Sequence, residues 1–166
     1  PLLVDAELDM CVLSPPLAHP LIQLEVLGSE RLYVAVPKGH AWAARASVPL
    51  SALDDEPMVV LHEEHCFGRQ LASLCAGASV CPSVGSVSAQ LRTALELVAA
   101  GVGFTVVPAM CAAASRGLGC VMVPLAGTAA ARGIALGWRK DRTRTAAGEA
   151  FASALTRAIQ RTSQPA

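Results

Sequence analysis

Apolar positions along the chain fall into short, β-branched runs separated by stretches with helical spacing. The runs predict strands at Leu8–Leu13, Ile22–Leu27, Leu32–Pro37, Met58–Leu61, Ser83–Ser86, Phe104–Val107, Cys120–Pro124 and Gly133–Trp138. Several are almost continuously apolar, the pattern of strands covered on both faces. Between the fifth and sixth, Leu91, Ala94, Leu95, Val98 and Ala99 recur at helical spacing. Ser88 is placed to cap the first turn of that helix and Gly101 to end it. Glu64 to Gly77 predicts another helix, with Leu71, Leu74 and Cys75 on one side, and Pro108 suits the first turn of a third running toward Ser115. Thr145 can cap a last helix whose stripe is Ala147, Ala150, Phe151, Ala154, Leu155, Ala158 and Ile159, and Thr162–Ala166 reads as a frayed tail. Strands interleaved with helices predict an α/β fold with mostly parallel sheets. Two punctuated loops, Pro15–Pro20 and Ala126–Arg132, are the places where the chain can cross between two lobes.

Composition narrows the function. Of the 166 residues 53% are hydrophobic, which excludes disorder and supplies a core for one domain or two small lobes. Lys and Arg number 13 and Asp and Glu 13, so this segment has no cationic excess with which to grip nucleic-acid phosphates or an anionic membrane. No apolar run is long enough to cross a bilayer, and no basic stretch followed by an apolar one marks a signal peptide. The six cysteines are Cys11, Cys66, Cys75, Cys81, Cys111 and Cys120. With ample core material they need not be disulfide staples, and Cys11 and Cys120 lie in apolar runs as small hydrophobes. The expected compartment is a reducing cytoplasm.

Several chemistries can be weighed on spacing alone. His62, His65, Cys66 and Cys75 offer zinc-binding residue types, yet no pair of separated Cys/His clusters closes a site, so no metal and no cofactor is expected. Gly101-Val102-Gly103 follows a helix and leads into a strand, the reverse of a dinucleotide loop, and reads as a helix stop. Cys66 beside His62 or His65 lacks a third orienting residue for acyl transfer, so no enzyme activity is expected. Arg132, Arg139, Lys140, Arg142 and Arg144 form a basic stretch, mostly a solvated face, from which Arg132 could meet an anionic effector.

Five segments, in order, carry a family resemblance: Ala6–Leu13 (AELDMCVL), Glu30–Ala43, Val48–Leu53 (VPLSAL), Leu97–Pro108 (LVAAGVGFTVVP) and Ala135–Lys140 (ALGWRK). Together they span nearly the whole chain, which resembles the effector-binding domain of LysR-type transcriptional regulators. The resemblance implies two Rossmann-like lobes in a periplasmic-binding-protein-like arrangement, lobe I from residues 1–18 and 128–166 and lobe II from 19–127. The family's domain would begin with one more strand, helix and strand before Pro1, and its DNA-reading winged helix-turn-helix would precede those. A homodimer or tetramer is implied as well.

His65-Cys66-Phe67-Gly68-Arg69-Gln70, followed by Cys75, is similar to the segment of OxyR-like peroxide sensors within that family. By that resemblance Cys66 would be peroxidatic and Cys75 resolving, with Thr93 and Arg132 on site-facing polar positions. Gly68 departs from the pattern by replacing an arginine, and Arg69 is displaced by one.

Peroxide chemistry needs a thiolate, and an ordinary cysteine with a pKa of ~8.5 is mostly protonated at neutral pH. Cys66 at a helix start, with His65 adjacent and Arg69 at i+3, is placed for a lowered pKa. On one continuous helix the nine residues to Cys75 mean ~13 Å of rise, whereas a disulfide needs Cα atoms within ~7 Å. Oxidation would therefore unwind the helix. A plainer reading stays open, in which both cysteines are helix-packing residues. The expected function is an effector-sensing regulatory domain, redox-active through Cys66 and Cys75 or, alternatively, binding a small anionic metabolite; a two-lobed solute-binding protein is the third candidate.

Overall fold

The longest strand, Ile22–Pro37, is 16 residues long, although the hydrophobic pattern predicted two strands separated at Gly28–Arg31. That polar stretch stays extended because it contains no proline and Gly28 does not take up a positive φ. In this computed structural model residues 2–62, 66–115, 117–127 and 130–162 are described. They form two compact units, Pro1–Glu30 with Arg132–Ala166, and Arg31–Ala131. The first passage from one to the other therefore falls within an unbroken strand.

Numbered in chain order, the strands are β1 (Met10–Leu13), β2 (Ile22–Pro37), β3 (Pro57–Leu61), β4 (Ser83–Ser88), β5 (Thr105–Pro108), β6 (Cys120–Pro124) and β7 (Ala131–Arg139). The α-helices are α1 (Cys66–Gly77), α2 (Leu91–Ala99) and α3 (Ala146–Thr162). In the unit Arg31–Ala131 the second half of β2 pairs with β5 on one edge and β6 on the other. Val34, Ala35 and Val36 are wholly buried there, as are Val106 and Val107 of β5. This is the covered-on-both-faces burial that their apolar runs imply. β3 and β4 pair in parallel through α1, the crossover helix that parallel strands require. α2 buries Ala94, Leu95 and Val98, the predicted stripe. Gly101 ends the segment at φ +85°, a left-handed conformation glycine adopts without strain.

The sheets are mixed, which corrects the expectation of mostly parallel pairing. β3 with β4 is parallel, as are the Met58–Phe104 and Val48–Leu125 bridges. β2 pairs antiparallel with β5 and β6, and so does β1 with β7. A continuous apolar run reports that a strand is buried, and carries no information about its neighbour's direction. Two helix-end expectations also change. Ser88 ends β4, where its hydroxyl donates to the Gln90 carbonyl and accepts from the Gln90 N–H, so Gln90 stands at the start of α2 without a side-chain cap. Pro108 ends β5, and Ala109–Ser115 is a 3₁₀ helix.

In the other unit β1 lies against β7, Met10 opposite Trp138 and Leu13 opposite Ala135. Ala152 and Ile159 of α3 pack with Leu27, Ile134, Leu136 and Trp138. Thr145 caps α3 as predicted, its Oγ1 accepting the Gly148 N–H at 3.2 Å. No helix among the described residues is long and apolar enough to cross a membrane.

Candidate functional site

α1 carries the candidate thiols. Phe67, Leu71 and Cys75, spaced four apart, are all buried and hold one face of the helix on the core. The first turn presses on the end of β3: a Cβ at Gly68 would stand 2.8 Å from the Leu61 carbonyl oxygen and 3.1 Å from that of His62. A side chain there would displace backbone. No larger side chain, an arginine included, could occupy that position while α1 keeps its seat. The far end is closed by the Cys75 carbonyl, which accepts the N–H groups of Ala78 (3.1 Å) and Val80 (3.0 Å), with Ser79 left-handed at φ 55°.

Cys66 opens α1 and Cys75 lies within its last turn. Nine helical residues separate them by ~13 Å of rise and about half a revolution, so no bond can join them while α1 is wound. Cys75 is a free thiol. Burial pushes its pKa up, and the neighbouring Cys81 adds to the shift in the same direction. Gln70, one turn beyond Cys66, has a buried Oε1 that finds no hydrogen-bond partner among the described residues. Leaving such an acceptor unsatisfied costs about 1–3 kcal/mol, which marks it as a place for an incoming O–H or N–H donor.

The other predicted residues are placed by their own elements. Arg69 is exposed on α1, where its carbonyl accepts the Ser73 hydroxyl at 3.0 Å. Thr93 is exposed on α2. Arg132 belongs to the other unit, where its Nε donates to Glu30 Oε1 at 2.6 Å. His65 lies outside the described residues, as does the side chain of Cys66.

Two participants were not foreseen from the sequence. Glu30 is buried within β2 as the partner of Arg132; a carboxylate in the short polar stretch Gly28–Arg31 between two apolar runs was the available signal. Cys81 follows a tight turn after α1 and lines the same cavity as Cys75, a juxtaposition that spacing alone does not reveal. The late basic stretch is also largely neutralised. Arg139 pairs with Asp141, holding that carboxyl below its usual range, and Arg144 pairs with Glu25 and Glu149 while lying 4.0 Å over the Trp138 ring.

Comparison with known proteins matches residues 1–160 to the LysR substrate binding domain. A probable hydrogen peroxide-inducible genes activator of Streptomyces viridosporus is 30% identical over 161 residues, which cover 95% of this chain and 52% of that protein. An H2O2-bound OxyR mutant of Corynebacterium glutamicum superposes with a TM-score of 0.87 at 28% identity, covering 97% of this chain and 52% of that one. The effector binding domain of QuiR in complex with shikimate gives a TM-score of 0.81 at 19% identity, over 96% and 76% of the respective chains, a likeness of fold. The chain thus spans about half the length of the first two.

Proposed function

Because the chain belongs to the LysR substrate-binding domain family, we propose that it is the sensory domain of a LysR-type transcription regulator that responds to hydroperoxide through Cys66 and Cys75. One observation carries this reading: the two thiols share a single helix, α1, and cannot meet until it unwinds. The Cys66 thiolate, favoured by the positive end of the helix dipole at the start of α1, attacks one peroxide oxygen. The O–O bond breaks, the second oxygen leaves as hydroxide and takes up the proton that the thiol gave up, becoming water, and Cys66 becomes a sulfenic acid. The Cys75 thiol then attacks that sulfur and the S–O bond breaks. A second water carries away the hydroxyl and the thiol proton, leaving a disulfide. Gln70 Oε1 supplies an acceptor for the peroxide O–H. Drawing the sulfurs together pulls Phe67, Leu71 and Cys75 off the core, and this local refolding is the signal.

The reaction calls for no metal or cofactor. The protein would work in the cytoplasm as a homodimer or tetramer, touching DNA through a winged helix-turn-helix outside residues 1–166. The alternative, a small anionic metabolite met by Arg132, finds less support because the Glu30 carboxylate already answers that guanidinium.

Thiol titration before and after one equivalent of hydrogen peroxide, with peptide mapping and far-ultraviolet circular dichroism, tests the proposal. Loss of two thiols, a Cys66–Cys75 link and a fall in helical signal are expected. An unmodified Cys66 and no such link would overturn it.

A further inference from the structure

We propose that Cys75 and Cys81 form a second thiol pair on the wall of an apolar cavity, closed to a disulfide by an organic hydroperoxide while α1 stays wound. The proposal rests on the function proposed above in one respect, that Cys75 is the thiol Cys66 would otherwise recruit.

The geometry differs from that of Cys66 and Cys75. After α1 the chain folds straight back: Val80 N–H bonds the Cys75 carbonyl at 3.0 Å, which sets Cys81 one residue beyond a backbone contact. Cys81 is held from the other side as well. Its N–H donates to Asp54 Oδ1 at 2.8 Å, and its carbonyl accepts the Asp55 N–H at 3.2 Å. Both cysteines line one cavity of about 440 Å³, whose other walls include Met58, Val60, Leu71 and Val80. A void of that size accepts an alkyl or aromatic group, and its apolar walls favour one over water.

The two thiols have different standing. Cys81 is exposed and Cys75 buried. Burial and the neighbouring sulfur both keep the Cys75 proton in place, whereas Cys81 is the thiol open to solvent and so the one an oxidant meets first. The Cys81 thiolate attacks the terminal oxygen of the hydroperoxide; the O–O bond breaks, and the alkoxide leaves and takes up a proton as the alcohol. Cys81 is now a sulfenic acid. The Cys75 thiol attacks its sulfur, the S–O bond breaks, and water departs with the thiol proton. Two sulfurs have given up two electrons, and the hydroperoxide has become alcohol and water. Cys75 is then unavailable to Cys66, so this disulfide holds α1 in its wound form and suppresses the unwinding response.

The experiment uses the full chain and cumene hydroperoxide. Trypsin cleaves after Arg69 and Arg92, so Cys75 and Cys81 share the peptide 70–92. An internal disulfide leaves that peptide two hydrogen atoms lighter and closed to alkylation, whereas a Cys66–Cys75 link joins it to the peptide ending in Arg69. In Cys66→Ser the internal disulfide should form with helical signal retained, about tenfold faster with cumene hydroperoxide than with hydrogen peroxide. In Cys81→Ser it should vanish while the Cys66–Cys75 link grows, an arm that reports on the Cys66 switch separately. The unaltered chain, at limiting oxidant, should yield both products and guards against a misfolded variant. Absence of the internal disulfide in both Cys66→Ser and the unaltered chain, or its formation with loss of helix, would overturn the pair. Equal rates with the two oxidants would overturn the organic assignment.

Discussion

Arg132 Nε lies 2.6 Å from Glu30 Oε1, joining the start of β7 to the middle of β2 within one unit, with side-chain exposures of 14% and 5%. Removing one member of so sheltered a pair takes the ion-pair partner from the other buried charge, which typically costs about 3 kcal/mol, whereas replacing both with apolar groups costs far less. Glu30→Ala should therefore lower the urea midpoint strongly, and Glu30→Ala with Arg132→Met should lose less than the sum of the singles. Strict additivity in this double-mutant cycle would show that the two side chains are not coupled.

Gly68 is the contact point between α1 and the end of β3. Gly68→Ala should destabilise by about 1–3 kcal/mol, because the new Cβ meets backbone carbonyls that cannot swing aside. Gly77 ends the same helix, and a Cβ added there would meet nothing within 4 Å. Gly77→Ala should thus be neutral or stabilising by about 0.5–1 kcal/mol through helix propensity. Chemical denaturation of the two variants separates the effects, and equal midpoints would contradict the tight seating of α1.

Cys75 gives a pH dependence with a defined sign. Its folded pKa is raised by burial and then by Cys81, so the folded state keeps a proton that the unfolded chain releases. That contribution to stability is complete below the unfolded value of ~8.5 and is lost as pH rises through the folded one. Between pH 8 and 10 the unaltered protein should lose stability more steeply than Cys75→Ala. Parallel pH profiles would be the contrary result.

Leu95 of α2 is wholly buried, whereas Val84 of β4 is 67% exposed. Leu95→Ala should cost about 2–5 kcal/mol from lost burial and the cavity left behind, and Val84→Ser less than about 0.5 kcal/mol. Urea midpoints would check both, and a similar loss at the two sites would contradict the packing of α2.

Much of the local structure was legible in the sequence. The α2 stripe of Ala94, Leu95 and Val98, the stop at Gly101 and the Thr145 cap all follow from residues within a turn or two of one another. Ser88 misled because a serine hydroxyl serves a turn as readily as a helix cap, and only the end of β4 decided which. The candidate thiols were legible as residues on one helix. Gly68's role was not, since nothing in the sequence states that the Leu61 carbonyl would lie against it.

By itself the sequence determined most of the elements, the burial of β5 and of the second half of β2, and the family. Periodicity, capping and apolar runs are local, and each constrains its own few residues. Strand direction, the Glu30–Arg132 pair across 102 residues and the cavity that Cys75 and Cys81 share were decided only by the tertiary structure. The packing of segments sets which side chains lose water together, and with it which charges must pair and which thiols line one cavity.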